Sequence, residues 1–279
     1  MKSFLKRYCR NYGAMIGLIV LLAVVVVSFV APMLYEESPW MMAAEPLMKP
    51  CADMAYPFGT DMLGRDITAG LLYGARVSLL VGVISTAVAL VVGVLVGSVA
   101  GYCGGRIDDA LMRVTEFFQT IPQLAMAVVI VAIFNPSIYS IVGAISVVSW
   151  PPVARLVRGE FLSLKQREFV QAAIVIGQRP LRIILTQILP NAMSPIIVSA
   201  SFMVATAILT ESALSFLGLG DRNMMSWGFM IGAARTMIRE AWWMSVWPGV
   251  AILLTVLAIN LIGEGLNDAL NPQLRRRGE

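Results

Sequence analysis

The chain of 279 residues is rich in apolar side chains (58%) and poor in charged ones (14%), with 21 basic and 17 acidic residues. Soluble domains average about 25% charged residues, so this composition indicates a membrane protein. The sequence contains no histidine, which excludes Ser-His-Asp and Cys-His catalytic machinery and histidine-ligated zinc. The composition therefore argues against a soluble enzyme.

Six membrane-spanning helices are predicted from the uncharged runs, because about 20 apolar residues cross the hydrocarbon layer. The first run is longer than the apolar part of a cleaved signal peptide and is expected to be retained. The third run, residues 117–154, is nearly two spans long, and Asn135-Pro136 predicts a turn that divides it. The approximate span cores are 14–34, 79–101, 117–134, 138–154, 193–217 and 246–265.

The basic residues predict the orientation of these spans, since cytoplasmic loops are enriched in Lys and Arg. With six spans, the termini and the loops at 102–116 and 155–182 share one side, which carries 15 of the 21 basic residues. Both termini are therefore predicted to be cytoplasmic. This bias also explains the basic character of the chain without nucleic-acid binding. No disulfide is expected, because Cys9 and Cys103 fall on the predicted reducing side and Cys51 on the other, so no two cysteines share an oxidising compartment.

The outer loop at 35–76 contains the sequence Phe58-Gly59-Thr60-Asp61-Met62-Leu63-Gly64-Arg65-Asp66. Two glycines around an Asp and before an Arg-Asp pair predict a tight, internally hydrogen-bonded turn. One interpretation is a surface loop held by its own polar groups, and the other is a docking site for an extracellular partner. The residues of this candidate motif are Gly59, Thr60, Asp61, Gly64, Arg65 and Asp66.

The longest inner loop, at 155–190, is predicted to form two short helices. Residues 165–176 contain no Gly or Pro, Gly177 can provide a left-handed helix end, and Pro180 suits the first turn of a second helix. One interpretation is a docking surface whose small side chains let another protein surface approach closely. The other is a connector in the lipid headgroup region. The candidate residues are Gln171, Ala172, Ala173, Gly177, Leu189 and Pro190.

Few polar groups lie within the predicted spans. Glu116, Gln119 and Gln123 are spaced to share one helical face, with Pro122 expected to kink that helix. Gln119, Gln123, Glu211 and Asn260 are candidates for lining a polar path, with Glu211 as a gate. The alternative is that they make helix-end or interhelical hydrogen bonds.

The inner loop resembles the EAA loop of ABC-importer permeases, from Gln171-Ala172-Ala173 through Gly177 to Ile188-Leu189-Pro190. In that family the pattern is Glu-Ala-Ala, three residues, Gly, nine residues, and an apolar-x-Leu-Pro ending. Gly177 and Pro190 have the family separation, whereas Gln171 replaces the first Glu and Gln187 replaces an apolar residue.

Further motifs narrow the resemblance to the C-type subunit of the dipeptide/oligopeptide/nickel permease family. Members often have Ser-Arg where this chain has Ala69-Gly70. The matching blocks are the Gly59–Asp66 motif, Tyr73-Gly74-Ala75-Arg76-Val77-Ser78-Leu79, Ser215-Phe216-Leu217-Gly218-Leu219-Gly220, Trp227-Gly228, Pro248-Gly249 and Asn260-Leu261-Ile262-Gly263-Glu264.

The resemblance implies an all-α membrane protein with the type I ABC importer permease fold and a cytoplasmic EAA coupling loop at 155–190. Residues 1–76 are expected to form an N-terminal tail, the first span and a periplasmic loop, residues 77–266 a five-helix core, and residues 267–279 a cytoplasmic tail.

The same resemblance implies an inner-membrane assembly with a homologous permease, one or two ABC ATPase subunits, an extracytoplasmic solute-binding protein and surrounding lipid. The chain has four lysines and none follows a glycine, so it lacks the Gly-Lys-Ser/Thr loop that holds nucleotide phosphates. ATP and Mg²⁺ are therefore expected on the partner ATPases, and no cofactor or metal on this chain, which is not itself an enzyme. The short helix of the loop would seat in the ATPase and act as a lever.

Two questions stay open at the level of sequence. Peptides and nickel or metal chelates are both cargo classes of the family, and the binding protein is expected to choose between them. A secondary transporter is the less favoured class, because internal repeats and buried ionisable coupling groups are not evident. A membrane enzyme is disfavoured by the absence of histidine.

Overall fold

The structure is a computed structural model and describes residues 8–35 and 38–270, apart from the side chain of Leu34. Its regular elements in these ranges are helices, with two isolated β-bridges, Met42–Arg65 and Thr60–Asp66, in one loop. The basic residues counted above in 1–7 and 275–277, and most of the predicted C-terminal tail, lie outside the described residues.

Ten α-helices and two π-helical turns follow one another along the described chain. Five of the helices have 16 or fewer residues and four have more than 25, so the bundle mixes short connecting helices with long apolar ones. The helices are α1 Tyr12–Leu34, α2 Ile67–Cys103, α3 Gly105–Thr120, α4 Gln123–Ile133, α5 Ile138–Lys165, α6 Glu168–Val175, α7 Pro180–Ile183, α8 Leu189–Leu214, α9 Trp227–Ala234 and α10 Trp243–Leu270, with π-helical turns at Ile184–Ile188 and Ser215–Leu219.

Five segments are long and apolar enough to cross a membrane as single helical stretches, and the bent pair α3–α4 provides a sixth crossing if it is counted as one span. The predicted all-helical architecture is confirmed. The predicted turn at Asn135-Pro136 is also confirmed, because α4 ends at Ile133, α5 begins at Ile138, and Asn135 has φ +63°.

Two span boundaries differ from the sequence prediction. Helix α2 begins at Ile67, so the outer loop ends ten residues before residue 76 and the predicted domain boundary falls inside a helix. The reason is a cap: Oδ1 of Asp66 accepts a hydrogen bond from the Thr68 backbone N–H at 2.7 Å. Helix α5 continues past the apolar span to Lys165, where its last turns carry charged residues beyond the membrane.

The third crossing is broken rather than gently kinked. Helices α3 and α4 meet at 85°, with Ile121 and Pro122 extended between them (ψ 131° and 125°). Pro122 provides no backbone N–H and disfavours a helical conformation at Ile121. The prediction that Glu116, Gln119 and Gln123 share one helical face is therefore wrong, since Gln123 begins a new helix with a different axis.

The core of the bundle is the contact between α2 and α5, which depends on small residues. A Cβ atom added to Gly97 would lie 2.8 Å from the Cβ of Val157, and one added to Gly101 would lie 2.6 Å from the Cβ of Phe161. Both partners are fully buried. The glycines therefore let the two helix backbones approach closely, as is common in membrane bundles.

The bundle has two ends that differ in the elements they carry. The basic end is where α2 terminates at Cys103 and where α6, α7 and the first π-helical turn lie. The opposite end carries the loop 38–66 and the segment from Gly220 to Trp242 that contains α9. The candidate functional groups lie at both ends.

Candidate coupling loop and polar groups of the bundle

The loop at the basic end forms a helix–bend–helix, as predicted, but its first helix is shorter. Residue Lys165 ends α5, a turn follows at Gln166–Arg167, and α6 covers Glu168–Val175. The Arg167 backbone N–H donates to the Leu164 carbonyl at 3.0 Å, which closes this turn. The first helix predicted over 165–176 is therefore only two turns long, because Lys165 still belongs to α5 and a turn occupies Gln166–Arg167.

Gly177 ends α6 in the left-handed conformation (φ +74°), as predicted. Its backbone N–H donates to the Ile174 carbonyl at 3.0 Å, and that of Gln178 donates to the Ala173 carbonyl at 3.1 Å. These two bonds are those of a Schellman motif. Pro180 then opens α7, and Leu189 begins α8 with Pro190 in its first turn, so the chain turns sharply back into the membrane.

The two alanines of the predicted motif face in different directions. Ala173 is only 4% exposed and packs in a buried cluster with Val170, Phe161 and Ile183, whereas Ala172 and Gln171 are exposed. The prediction that Ala173 permits close approach of another surface is therefore wrong, because Ala173 is part of this chain's own core. Ala172 remains available for such an approach.

Three exposed apolar residues lie at the bend between α6 and α7. We define the apolar ridge as Val175, Ile176 and Leu181, which are 84%, 72% and 67% exposed. Exposed groups of large apolar side chains mark contacts with proteins or with membrane. The ridge is the strongest candidate for a docking surface at the basic end.

Hydrogen bonds join the loop to the ends of two long helices. The ammonium group of Lys165 donates to the Tyr102 carbonyl at 2.7 Å and lies 5.3 Å from the centre of the Tyr102 ring. The Gln171 side-chain amide donates to the Lys165 carbonyl at 2.8 Å. These contacts fasten α6 to α5 and α5 to the end of α2, so the loop is a rigid extension of the bundle.

A bidentate ion pair connects α3 to α5 near the same end. Nε and Nη2 of Arg158 donate to the two carboxylate oxygens of Asp108 at 2.5 and 2.6 Å. The Asp108 side chain is largely buried, while that of Arg158 is partly exposed. Bidentate pairs of this kind fix geometry as well as charge. Sequence reasoning missed this pair, because partners 50 positions apart in the sequence leave no local signal.

Replacing Asp108 with Ala is expected to lower the stability of the purified protein by about 1–2 kcal/mol, since it leaves the Arg158 guanidinium without its partner. The exposed neighbour offers a matched control, because Asp109→Ala removes a carboxylate that makes no hydrogen bond among the described residues. Thermal unfolding in detergent measures both variants. Equal melting temperatures for the two variants would show that the pair does not hold α3.

The outer motif folds into the internally bonded turn that its sequence predicts. Gly59 and Gly64 have φ +80° and +74°, and an added Cβ at either would collide with a backbone carbonyl oxygen, that of Met48 or Ala44. Oδ1 of Asp61 accepts from the backbone N–H groups of Leu63 and Arg65 at 2.8 and 2.9 Å. All six predicted motif residues are thus close in space.

Two of these motif residues make further hydrogen bonds, and one of them joins the loop to α2. The Thr60 hydroxyl donates to the Glu45 carbonyl at 2.6 Å and accepts from the Met48 N–H at 2.9 Å. Asp66 caps α2, and burial raises the pKa of its carboxyl above the usual range for aspartate. These contacts agree with the interpretation of a loop held by its own polar groups. Its docking role stays a prediction.

The four predicted path residues are not brought together. Oε1 of Gln119 accepts from Nη1 of Arg155 at 2.7 Å, Gln123 is exposed at the start of α4, and Asn260 is half-buried in α10. Within the described ranges, no hydrogen bond joins any two of these side chains or reaches Glu211 from them.

Glu211 is enclosed by this chain and does not face a path. Its carboxyl is 3% exposed and accepts hydrogen bonds from the hydroxyls of Ser215 and Ser226 at 2.8 and 2.7 Å. Ser226 also caps α9 by accepting from the Phe229 N–H at 3.0 Å. The prediction of a gate is replaced by a structural role, in which Glu211 fastens α9 to the end of α8.

Metal ligands are sparse in the part of the chain that the structure describes. It contains no group of three or more Cys, Asp or Glu side chains placed to hold an ion, and Cys9, Cys51 and Cys103 are free and exposed.

Similarity to known proteins covers nearly the whole chain. Residues 93–276 match the family of binding-protein-dependent transport system inner membrane components, and residues 1–50 match the N-terminal transmembrane domain of oligopeptide transport permease C. The chain is 39% identical to the di/tripeptide transport system permease protein DppC of Pseudomonas aeruginosa (strain UCBPP-PA14), over 99% of this chain and 93% of that protein.

A second relative and a solved structure agree with this family. The chain is 38% identical to the oligopeptide transport system permease protein OppC of Haemophilus influenzae, over 97% of this chain and 88% of that protein. Its fold resembles a chain of the MetNI methionine ABC transporter in an inward-facing conformation, with a TM-score of 0.62 and 16% identity over 72% of this chain and 96% of that one. The chain therefore belongs to the family of binding-protein-dependent transport system inner membrane components.

Proposed function

We propose that this chain is the permease subunit of an ATP-driven importer of di- and oligopeptides. The observation that carries the proposal is the similarity along nearly the full chain to permeases named for di/tripeptide and oligopeptide transport. These names favour peptides over the alternative cargo of nickel or a metal chelate. A second, homologous permease would complete the path across the inner membrane.

The apolar ridge supports a role in coupling to one or two separate ATPase subunits. With the basic end in the cytoplasm, as the Lys and Arg distribution predicts, Val175, Ile176 and Leu181 would seat in a groove of the ATPase. Both chain termini would then be cytoplasmic. ATP and Mg²⁺ would be held by the ATPase subunits.

The rigid connection between α6 and α5 explains how movement of the ATPase would reach the path. Because Gln171 binds the end of α5 and Lys165 binds the end of α2, a displacement of α6 is transmitted to both helices instead of being absorbed in the loop. The Schellman end at Gly177 keeps the bend fixed. The chain thus transmits movement as a lever and lines part of the path, while the partner subunits hydrolyse ATP.

The opposite end would receive peptide from a solute-binding protein. Its loop 38–66 is held by many internal hydrogen bonds, and a preformed surface loses little conformational entropy on docking. The segment from 218 to 245, braced by Glu211 and Ser226, lies at the same end.

Uptake by the complete transporter in proteoliposomes tests the proposal. We expect ATP-dependent uptake of labelled di- and oligopeptides in the presence of the cognate binding protein, and no such uptake of Ni²⁺ or its chelates. The control is the same complex with an ATPase subunit that binds but cannot hydrolyse ATP. Uptake of nickel without peptide would reverse the cargo assignment, and full transport without any ATPase subunit would refute the ABC mechanism.

A further inference from the structure

The break in the third crossing lies inside the apolar zone of the bundle, beside α5. Helix α3 contacts α5 at levels progressively farther from the basic end: Asp108 binds Arg158, and further along Phe118 contacts Trp150 with ring centres 5.4 Å apart. Helix α4 then continues along α5, where Val131 shares a buried cluster with Ile141 and Ile145. The break therefore lies near the level of Trp150, within the apolar part of α5.

The break leaves main-chain polar groups without helical partners. The first-turn N–H groups of α4 have none by geometry, and no side chain caps this helix end. At the end of α3, the Thr120 hydroxyl donates to the Phe117 carbonyl at 2.7 Å, and Ile121 is extended. Hydrocarbon cannot satisfy such groups, so irregular backbone at this depth occurs only where protein covers it or where it lines a water-filled cavity.

The described part of the chain leaves the break uncovered. Thr120, Pro122 and Gln123 are all exposed. Thr120 and Gln123, on either side of Pro122, add exposed polar side chains to a surface that also includes the exposed apolar residues Phe117 and Leu124, whereas exposed residues such as Ile19 on α1 are apolar.

A polar groove leads to the break from the basic end, between α3 and α5. Thr120 follows Glu116 by four residues and so lies on the face of α3 that lines this groove. The Gln119–Arg155 hydrogen bond lies at its inner end, next to the break. The groove is lined by Asp109, Met112, Arg113, Glu116, Arg155 and Arg158.

We propose that the break and this groove form the hydrated inner part of the peptide path, and that Thr120 and Gln123 hydrogen-bond the main chain of the passing peptide. This inference rests on the proposed function. Main-chain amides are common to all peptides, and the hydroxyl, the side-chain amide and the free backbone groups at the break offer both donors and acceptors for them. Such contacts would hold a peptide without selecting its side chains.

Cysteine accessibility tests the hydration of the break without requiring transport. In the complete transporter with Cys9, Cys51 and Cys103 replaced by Ser, single Thr120→Cys and Gln123→Cys variants are exposed to a charged, membrane-impermeant methanethiosulfonate applied from the cytoplasmic side. We expect both to react at least tenfold faster than Ile19→Cys and Val129→Cys, whose parent residues are also exposed in this chain but apolar. Equally slow reaction of all four would overturn the proposal.

Uptake by Gln123 variants tests the peptide contact itself. Gln123→Leu keeps the approximate size of the side chain but removes its hydrogen-bonding groups, and is expected to slow peptide uptake about fivefold. Gln123→Asn keeps an amide and is expected to retain most of the uptake. Wild-type uptake by Gln123→Leu would refute the peptide contact. Failure of the wild-type complex to import any peptide would instead refute the proposed function, and the labelling result would still decide whether the break is hydrated.

Discussion

Replacing Ile176 with Asp is expected to abolish ATP-driven peptide uptake while leaving the fold of the permease intact. Ile176 is 72% exposed at the tip of the apolar ridge, so the aspartate removes no buried contact within the isolated chain. In a complex, the same carboxylate would have to be buried against the ATPase, and burying an unpaired charge is strongly unfavourable. We expect at least a tenfold loss of uptake, measured together with the amount of ATPase subunit that copurifies.

The buried neighbour Ala173 gives the contrast that separates docking from folding. Ala173→Asp places a charge in the cluster of Val170 and Ile183 and is expected to lower the yield and melting temperature of the permease itself. Ile176→Val, a conservative change, should retain coupling. If Ile176→Asp imports peptide with the wild-type ratio of peptide to ATP, the ridge is not the coupling surface.

Replacing Gly97 with Val is expected to cause a large loss of stability in the bundle. Any side chain at this position meets the Cβ of Val157 at 2.8 Å and the backbone carbonyl of Ala154, and a backbone cannot move aside as a flexible side chain can. Overpacking of this kind costs about 1–3 kcal/mol, and more where the backbone is displaced. The measurements are thermal unfolding in detergent and the fraction of protein that elutes as a single species.

Gly143 on α5 provides the matched control, because an added Cβ there has nothing within 4 Å. Gly143→Val makes the same chemical change in a membrane helix and should shift the melting temperature little. Two equal shifts would mean that the penalty comes from β-branching in a helix and not from the contact between α2 and α5.

Features decided within a few residues were predictable from the sequence. The apolar runs, the turn at Asn135-Pro136, the left-handed end at Gly177 and the start of α7 at Pro180 all depend on local hydrophobicity or on the backbone preferences of Gly, Asn and Pro. The internally bonded turn of Gly59–Asp66 belongs to this group too. The Gly, Asn and Pro residues favour particular φ and ψ angles, and the apolar runs favour membrane insertion. Neither effect depends on where the rest of the chain lies.

The severity of the break at Pro122 was only partly predictable. The proline predicts a disturbance, but a kinked helix and two helices at 85° satisfy the local restriction equally well. The choice between them depends on how Phe118 and Val131 pack along α5, which are contacts between distant parts of the chain.

The sequence by itself determined that this is a helical membrane protein, where its spans lie, and which loop bends back at the basic end, because lipid and the peptide backbone impose those features locally. Only the tertiary structure decided that Ala173 is buried while Ala172 is exposed, that Glu211 fastens α9 instead of facing a path, and that Asp108 meets Arg158. The physical reason is that burial and pairing depend on neighbours supplied by other helices, which spacing along one helix cannot specify.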